Sequence, residues 1–471
     1  MAYSRPEIIS GTTRADKPFF ENILDGVDER VSRADADASY ARIFPLPDWW
    51  EWDFGFPILT DGHRFWTNYD VAARRNRSLS SVYVHTTKGS DATGDGSRTK
   101  PFAGLLKAIQ AVPEGGTITV LNRDTIFRDR GTSSGTVSKS FNLVFSDPAT
   151  VVAIADRLTW TATSGQANVF EAVRTNVCQV VDLGLGDPEG VPYSKAVDLA
   201  TCQSTPGSWF QAADGTGKIY VHTTTNAAPD DNILALLQDG SLYLDTAGRS
   251  SDMRVYIEGG RFFGSTRGTV AVSNTSRVLR FTTKNVQFLH SGYGNVGSTT
   301  LANGLSILGN VEYYGQRTSV SYTGLDGFNY HLSSGFLPRG VEIDCTAHDN
   351  GTTEASMRAA VQNIQNCSTT HDGAPVVRVG GRYWKSFGSI IADVQPGTKS
   401  VNFSCESGGS TDPGGNNASF SAQQAGAIIG VYGCITWGTT YNLYAVTGAT
   451  VYYDGLTEWS TRQGAGTIAP T

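Results

Sequence analysis

Asp326-Gly327, His348-Asp349-Asn350-Gly351 and His371-Asp372-Gly373 are turn strings whose aspartates stand 23 and 23 residues apart, and Asp393 follows at 21. Between them run short apolar alternations: Val341-Glu-Ile343-Asp-Cys345, Val361-Gln-Asn-Ile364-Gln-Asn-Cys367 and Val376-Val-Arg-Val379. Val286-Gln-Phe288-Leu-His290 and Asn303-Gly304-Leu-Ser-Ile307 continue the theme upstream. Val401-Asn-Phe403-Ser-Cys405 and Ile428-Ile-Gly-Val431-Tyr-Gly-Cys434 continue it downstream. A period of roughly 20 to 25 residues with short strands in each repeat is what a solenoid needs. The leucine ladder of a leucine-rich repeat is absent, and propeller blades would repeat at about twice this length. The chain reads as mainly β, a right-handed parallel β-helix whose coils stack at about 4.8 Å with inward ladders of Val, Ile, Phe and Cys. Cys345 and Cys367, 22 apart, are expected at nearly the same rung position. Residues 276–455 then supply roughly eight coils, a rod on the order of 40 Å long.

A β-helix must cover its first coil, or its strand edges and apolar interior meet water. Residues 82–112 suit such a cover, with a strand Val82-Tyr-Val84, a Gly/Asp loop, then a helix with Leu105, Leu106, Ile109 and Val112 on one face, stopped by Pro113. Further upstream, Asp16 and Pro18 open a helix in which Phe20, Leu24, Val27, Val31, Ala34 and Ala38 recur at 4, 3, 4, 3 and 4. That narrow seam fits association between helices, and an ordinary amphipathic helix is the alternative. The aromatic run Pro45-Leu-Pro47-Asp-Trp-Trp-Glu-Trp52, with Phe54, Phe56 and Phe65-Trp66, reads as a compact irregular module or a docking surface. The expected organisation is an N-terminal helical and irregular anchor module over residues 1–80, the β-helix cap, first coils and a hairpin insertion over 81–275, and regular coils with a C-terminal cap over 276–471.

Four stretches resemble known proteins. Gly11-Thr-Thr-Arg-Ala-Asp-Lys-Pro-Phe-Phe-Glu-Asn-Ile-Leu-Asp-Gly-Val-Asp28 resembles the short N-terminal anchor helix of many bacteriophage appendage proteins, which implies attachment to a virus particle, usually as a trimer. Tyr83-Val…Gly89-Ser-Asp91…Gly94-Asp-Gly96…Pro101-Phe102…Lys107-Ala108-Ile109 resembles the opening of pectate-lyase-like β-helix proteins, and Pro206-Gly-Ser-Trp-Phe210…Gly217-Lys-Ile-Tyr-Val-His222 resembles a hairpin insertion frequent among them. Asp326-Gly-Phe-Asn-Tyr-His331, with His371-Asp-Gly373 and Ala392-Asp-Val394, is similar to a β-helix group common in phage spikes. The resemblance implies a homotrimer whose Phe20, Leu24, Val27 and Val31 serve the trimer or the anchor, on the surface of a phage or phage-like particle assembled in the bacterial cytoplasm.

Composition excludes other classes. Lys plus Arg is 37 and Asp plus Glu 44, so the net charge is −7, against a nucleic-acid partner. Charged residues are only 17% and Gly numbers 53, unlike helical bundles or coiled-coil rods. No apolar run is long enough for a membrane span, and the first twenty residues lack the apolar stretch of a signal peptide. The six cysteines form no CxxC pair, and no His/Asp set has tight ligand spacing, so neither a metal nor another cofactor is expected.

If Asp326, Asp349 and Asp372 occupy equivalent turns, their carboxylates stack on one edge, and mutual repulsion raises at least one pKa. A raised acid beside an ionised carboxylate is the pair that glycoside hydrolysis uses, with adjacent rungs suiting retention and alternate rungs inversion. His348 and His371, each next to an aspartate, could instead act as the base of a lyase. Arg382, Tyr383 and Trp384 offer a sugar-stacking and carboxylate-binding surface, with Asp393 and His331 beside it. The bland alternative is a ladder of turns, since Asp caps its own backbone and Gly supplies positive φ. The resulting expectation is a virion spike or fibre that binds host cell-surface polysaccharide during adsorption. A virion-borne depolymerase of that polysaccharide is one alternative, and a free pectate-lyase-like enzyme another.

Overall fold

The computed structural model describes residues 41–122, 127–128, 136–237, 241–264, 266–291, 302–351, 365–411, 417–454 and 461–471. Phe20, Leu24, Val27 and Val31 lie outside the described residues.

Three long parallel sheets run the length of the chain, with twelve, nine and ten strands among the described residues. We call them sheets 1, 2 and 3 in the order the chain visits them. One coil shows the pattern: Leu279–Lys284 in sheet 1, Gln287–Ser291 in sheet 2, Leu305–Gly309 in sheet 3, then back to Val311–Gln316 in sheet 1. Twelve strands at about 4.8 Å make a rod on the order of 50 Å long. This is the parallel β-helix expected from the repeat. Its interior holds a large apolar cluster in which Phe262, Phe288, Phe281, Tyr313, Ile307 and Phe328 are fully buried.

The corner from sheet 1 to sheet 2 shows why the sequence coils. Gly259, Asn285, Arg317, Asp344, Gly380, Ser404 and Gly433 occupy the same position in successive coils, and every one has φ between +48° and +74°. A left-handed residue there turns the chain sharply without interrupting either ladder. The next residue points into the core: Val286, Cys345, Cys405 and Cys434 stack in this column. Cys367 is not among them. It precedes the sheet 3 strand Ser368–Thr370, so the expectation that Cys345 and Cys367 share a rung position is corrected.

A helix covers the first coil, although Leu106, expected on its buried face, is only partly buried and Val112 lies just past its end. At this end the helix Leu105–Ala111 buries Leu105, Ala108 and Ile109 against the first strand, Ser81–Val84. Residues 41–80, expected within the anchor module, lie lengthwise on the outer face of sheet 1. Trp50, Phe54, Ile58, Phe65 and Val71 are buried there against Tyr314, Val341, Ile343, Val377, Phe403 and Tyr432. Lys284 Nζ donates to Asp70 (2.7 Å), Lys399 Nζ to Glu51 (3.0 Å) and Tyr314 Oη to the Phe54 carbonyl (2.9 Å), fixing this strap at several heights.

The hairpin resemblance corresponds to part of a larger insertion. After Val151–Ala153 in sheet 2 the chain leaves the coil and builds two small sheets, antiparallel except where Ser194–Lys195 pairs with Ser208–Gln211, and returns at Leu242 in sheet 3. Ser208–Gln211 pairs with Lys218–His222 inside it. Its loop 187–190 descends onto the outer face of sheet 2.

Candidate functional site

The three aspartates do not share an edge. Coils differ in length: Leu305 pairs with Phe328 and Ser368 with Ile391, each 23 residues apart, but Phe328 pairs with Ser368, 40 apart. A 23-residue step from Asp326 therefore travels from the entry of sheet 3 round to sheet 2, and the next step ends beyond the following sheet 3 strand. Asp326 is buried, accepting from the Asn366 amide (2.8 Å) and Asn329 Nδ2 (2.8 Å), and burial raises its pKa to about 6. Asp372 sits at the corner from sheet 3 to sheet 1, where its Oδ2 bonds His331 Nδ1 (2.8 Å) and the Leu332 amide (3.0 Å). The His331 ring stacks on His371 at 3.7 Å, and burial together with the His331 charge lowers the His371 pKa to about 4. Two other expected glycan contacts face inward. Tyr383 is fully buried with its hydroxyl on Glu342 (2.7 Å), and Asp393 is fully buried near Arg378, its pKa raised to about 6 by burial.

Asp349, His348, Trp384 and Arg382 do come together, on the outer face of sheet 2. A second left-handed column makes that face. His290, Tyr322, Asp349 and Lys385 have φ of +58°, +56°, +51° and +56°, and Gly409 and Gly438 continue the column at +69° and +58°. Neighbours on a plain strand alternate between faces. Here the left-handed residue resets the alternation, so Ser321 with Tyr322 and His348 with Asp349 both face outward. Each such residue without glycine costs about 1–2 kcal/mol. Held strain of this kind concentrates at functional sites.

The 187–190 loop meets this face. Glu189 accepts from Ser321 Oγ (2.6 Å), Gln287 Nε2 (3.2 Å) and Ser319 Oγ (3.3 Å), and pairs with His348 Nε2 (3.1 Å). Its carbonyl bonds His290 Nε2 (2.8 Å), and Asp187 accepts from Tyr322 Oη (3.0 Å). The other ring nitrogen of His348 meets Asp349 Oδ2 (2.8 Å). Burial alone would lower the His348 pKa, but the Asp349 and Glu189 carboxylates outweigh it and raise the value to about 9. Burial would likewise raise Glu189, and His348 holds it below the usual carboxylate value.

Aromatic and cationic groups continue up the face. The His348 ring stacks on Trp384 at 4.3 Å, and the Arg382 guanidinium lies 5.1 Å from the Trp384 ring and 5.5 Å from that of Trp437. The Arg382 side chain is 57% exposed and that of Lys385 55%, so each is open to a ligand while paired to Glu406 (3.2 Å) and Asp349 (3.7 Å) respectively. Alongside runs a groove of about 460 Å³ bounded by Glu189, Arg261, Arg317, Asp344, His348 and Trp384. Burial raises the Asp344 carboxyl.

The hydrogen-bonded groups of this face are poorly placed to move protons. His348 stays an imidazolium at neutral pH with both nitrogens engaged, so it is no general base there. Both oxygens of Glu189 are occupied by donors. Among the described residues no group of acidic, His and Cys side chains is arranged to hold a metal ion.

Sequence reasoning missed Glu189, Asp187, Tyr322, Lys385, Glu406 and Trp437. Glu189 lies 159 residues before His348 in an ordinary turn string, Gly186-Asp187-Pro188-Glu189-Gly190, and nothing in its spacing pointed to the rod. Lys385 and Trp437 were findable from the aromatic and basic content of the sheet 2 strands.

No protein-family model matches the chain, and no curated protein matches it by sequence. Among solved structures it is similar to a glycoside hydrolase with TM-score 0.52 and 9% identity, over 83% of this chain and 96% of that one. It also aligns with the GH136 lacto-N-biosidase of Eubacterium ramulus (TM-score 0.34, 9% identity, 83% and 67% covered) and with ORF18 of Geobacillus virus E2 (TM-score 0.28, 12% identity, 89% and 65% covered). The last two superpose too loosely to carry an argument. At 9% identity the first speaks to the fold alone, and on the fold it agrees with the stacked parallel sheets.

Proposed function

We propose that the protein is a receptor-binding spike of a phage or phage-like particle that holds acidic host-surface polysaccharide along the outer face of sheet 2. The observation that carries this reading is the exposed Arg382 guanidinium lying between Trp384 and Trp437, beside the groove lined by Arg261 and Arg317. Planar guanidinium groups pair with uronate carboxylates in two parallel hydrogen bonds, and indole faces receive the apolar faces of sugar rings. Trp384 and Trp437 stand two coils apart with Gly408 between them, about 10 Å along the rod, a spacing that suits a chain of sugars rather than a single one. The protein works as a homotrimer attached to the particle through the segment that resembles phage anchors. Binding without cleavage is the favoured activity, because the carboxylates expected to cleave are dispersed over three places.

The test is binding of purified acidic capsule or lipopolysaccharide from candidate hosts to wild type, Arg382→Ala and Trp437→Ala, with the polymer sized afterwards. Expected are at least tenfold weaker binding in both variants and an unchanged polymer length. Shortened polymer would replace the adhesin with a depolymerase. Binding insensitive to both substitutions would remove sheet 2 from consideration.

A further inference from the structure

On a different side of the rod, a larger groove of about 910 Å³ crosses the corners where sheet 3 passes into sheet 1. One wall is the strap segment Trp50-Glu-Trp-Asp53 and the other is the loop carrying Phe336 and Leu337. Its floor is formed by strand starts and turn glycines, among them Val278, Asn310, Arg339, Gly373 and Gly397. The floor thus touches five successive coils, about 19 Å along the rod at the rung spacing.

Both walls are fixed in place. Lys399 Nζ donates to the Trp49 carbonyl (3.1 Å) and to Glu51, and Trp50 Nε1 donates to the Trp52 carbonyl (2.7 Å). The opposite loop is closed by reciprocal Ser333–Phe336 backbone bonds and tied down by Ser333 Oγ to Asn274 (2.6 Å) and the Leu332 amide to Asp372. Prearranged walls lower the ordering cost of binding. Trp52, with Arg339 5.9 Å from its ring, and Phe336 supply flat apolar surface. Glu51, Asp53, Glu312, Arg339 and Lys399 supply hydrogen-bonding groups whose charges nearly cancel and lean negative.

We infer that this groove is a second glycan site, taking an extended uncharged oligosaccharide. Length along five coils selects a chain over a monosaccharide. Aromatic walls with carboxylate and guanidinium groups between them match sugar rings and their hydroxyls. The negative lean disfavours the polyanion proposed for sheet 2, so the two faces take chemically different ligands. Neutral-glycan binding here does not depend on what sheet 2 holds.

The experiment is calorimetric titration of the full chain with neutral pentasaccharides (maltopentaose, cellopentaose and chitopentaose) and with a galacturonate pentamer. At least one neutral probe is expected to bind, with affinity at least tenfold weaker in Trp52→Ala and unchanged in Arg382→Ala. Because Trp52 also packs on Phe54 and Tyr314, Leu337→Arg serves as the second variant. Leu337 is 39% exposed, and an arginine there obstructs the groove without entering the core. No binding by any neutral probe, or binding unaffected by Leu337→Arg, would overturn the inference. Loss of galacturonate binding in Leu337→Arg but not in Arg382→Ala would overturn it too, since the groove would then be the acidic site.

Discussion

Replacing Glu189 with Gln removes one of the two anions that hold His348 charged, while keeping the shape of the side chain. The His348 pKa stands at about 9 against an ordinary 6.5. At about 1.4 kcal/mol per pH unit this is about 3 kcal/mol in favour of the imidazolium, divided between Glu189 and Asp349. Losing one adjacent opposite charge should lower the pKa by at least roughly one pH unit. A histidine whose folded pKa is raised contributes its stability fully below pH 6.5, and the contribution fades as pH rises through about 9. Wild type should therefore lose stability between pH 7 and 10 in a way that His348→Asn does not. The Gln variant also turns an amide donor toward Ser321, Gln287 or Ser319, leaving a buried group unsatisfied at a cost of about 1–3 kcal/mol. The insertion should detach before the rod unfolds. Histidine-labelled NMR titration reads the pKa directly, with His348→Asn assigning the resonance among seven histidines. Limited proteolysis reads the loosening of residues 154–237. A His348 midpoint at or below 6.5 in wild type, or identical cleavage of the insertion in wild type and Glu189→Gln, would refute the reasoning.

Phe281→Ala, at a fully buried position of the interior column, should cost about 3–5 kcal/mol in urea unfolding; a loss under about 1 kcal/mol would mean that the column collapses around the gap. Asp393, its folded pKa raised to about 6, costs stability as pH rises from 3.8 through 6, by up to about 3 kcal/mol. Asp393→Asn should thus gain on wild type between pH 4 and pH 7, and an equal difference at both pH values would contradict the burial argument. Gly433 has φ +60°, and an added Cβ would lie 2.8 Å from the Phe65 ring, so Gly433→Ala should loosen the strap. Hydrogen exchange across residues 41–75 should speed up, and unchanged protection there would count against the strap's dependence on this corner.

The repeat and the first-coil cap were legible because both rest on local signals, turn strings at intervals and a helix face closed by proline. The positions of the aspartates were not, because a constant interval in sequence is a constant position in space only when coils have equal length. The 40-residue step from Phe328 to Ser368 breaks that equality. Half of the site was equally hidden. His348 and Trp384 lie on the coils and were found, while Glu189 arrives from an insertion whose own pattern describes only its own small sheets.

Alternation in the sheet 1 strands shows a subtler limit. In Val341-Glu-Ile343 and Val377-Arg-Val379 the apolar residues were expected to face the core, yet Val341, Ile343, Val377 and Val379 face outward beneath the strap. Glu342 and Arg378 face inward, fully buried, 3.5 Å apart. Periodicity of two assigns residues to shared faces, but it says which face is the core only when the other face meets water. Here a strap rich in Trp and Phe gives the outer face an apolar cover, and the interior can then hold polar groups if each is satisfied. Tyr330, Tyr383 and Ser368 donate to Glu342, and Ser368, Thr370 and Asn402 surround Arg378. Gly340 leaves the space that Tyr330 needs, since a Cβ there would fall 2.3 Å from its ring. Removing either charge leaves the other buried alone, at a cost of about 3–5 kcal/mol. Replacing both with Met should cost far less, so a double-mutant cycle between Glu342 and Arg378 should give a large coupling in unfolding free energy. Additive losses would mean that the surrounding hydroxyls, rather than the ion pair, satisfy the interior.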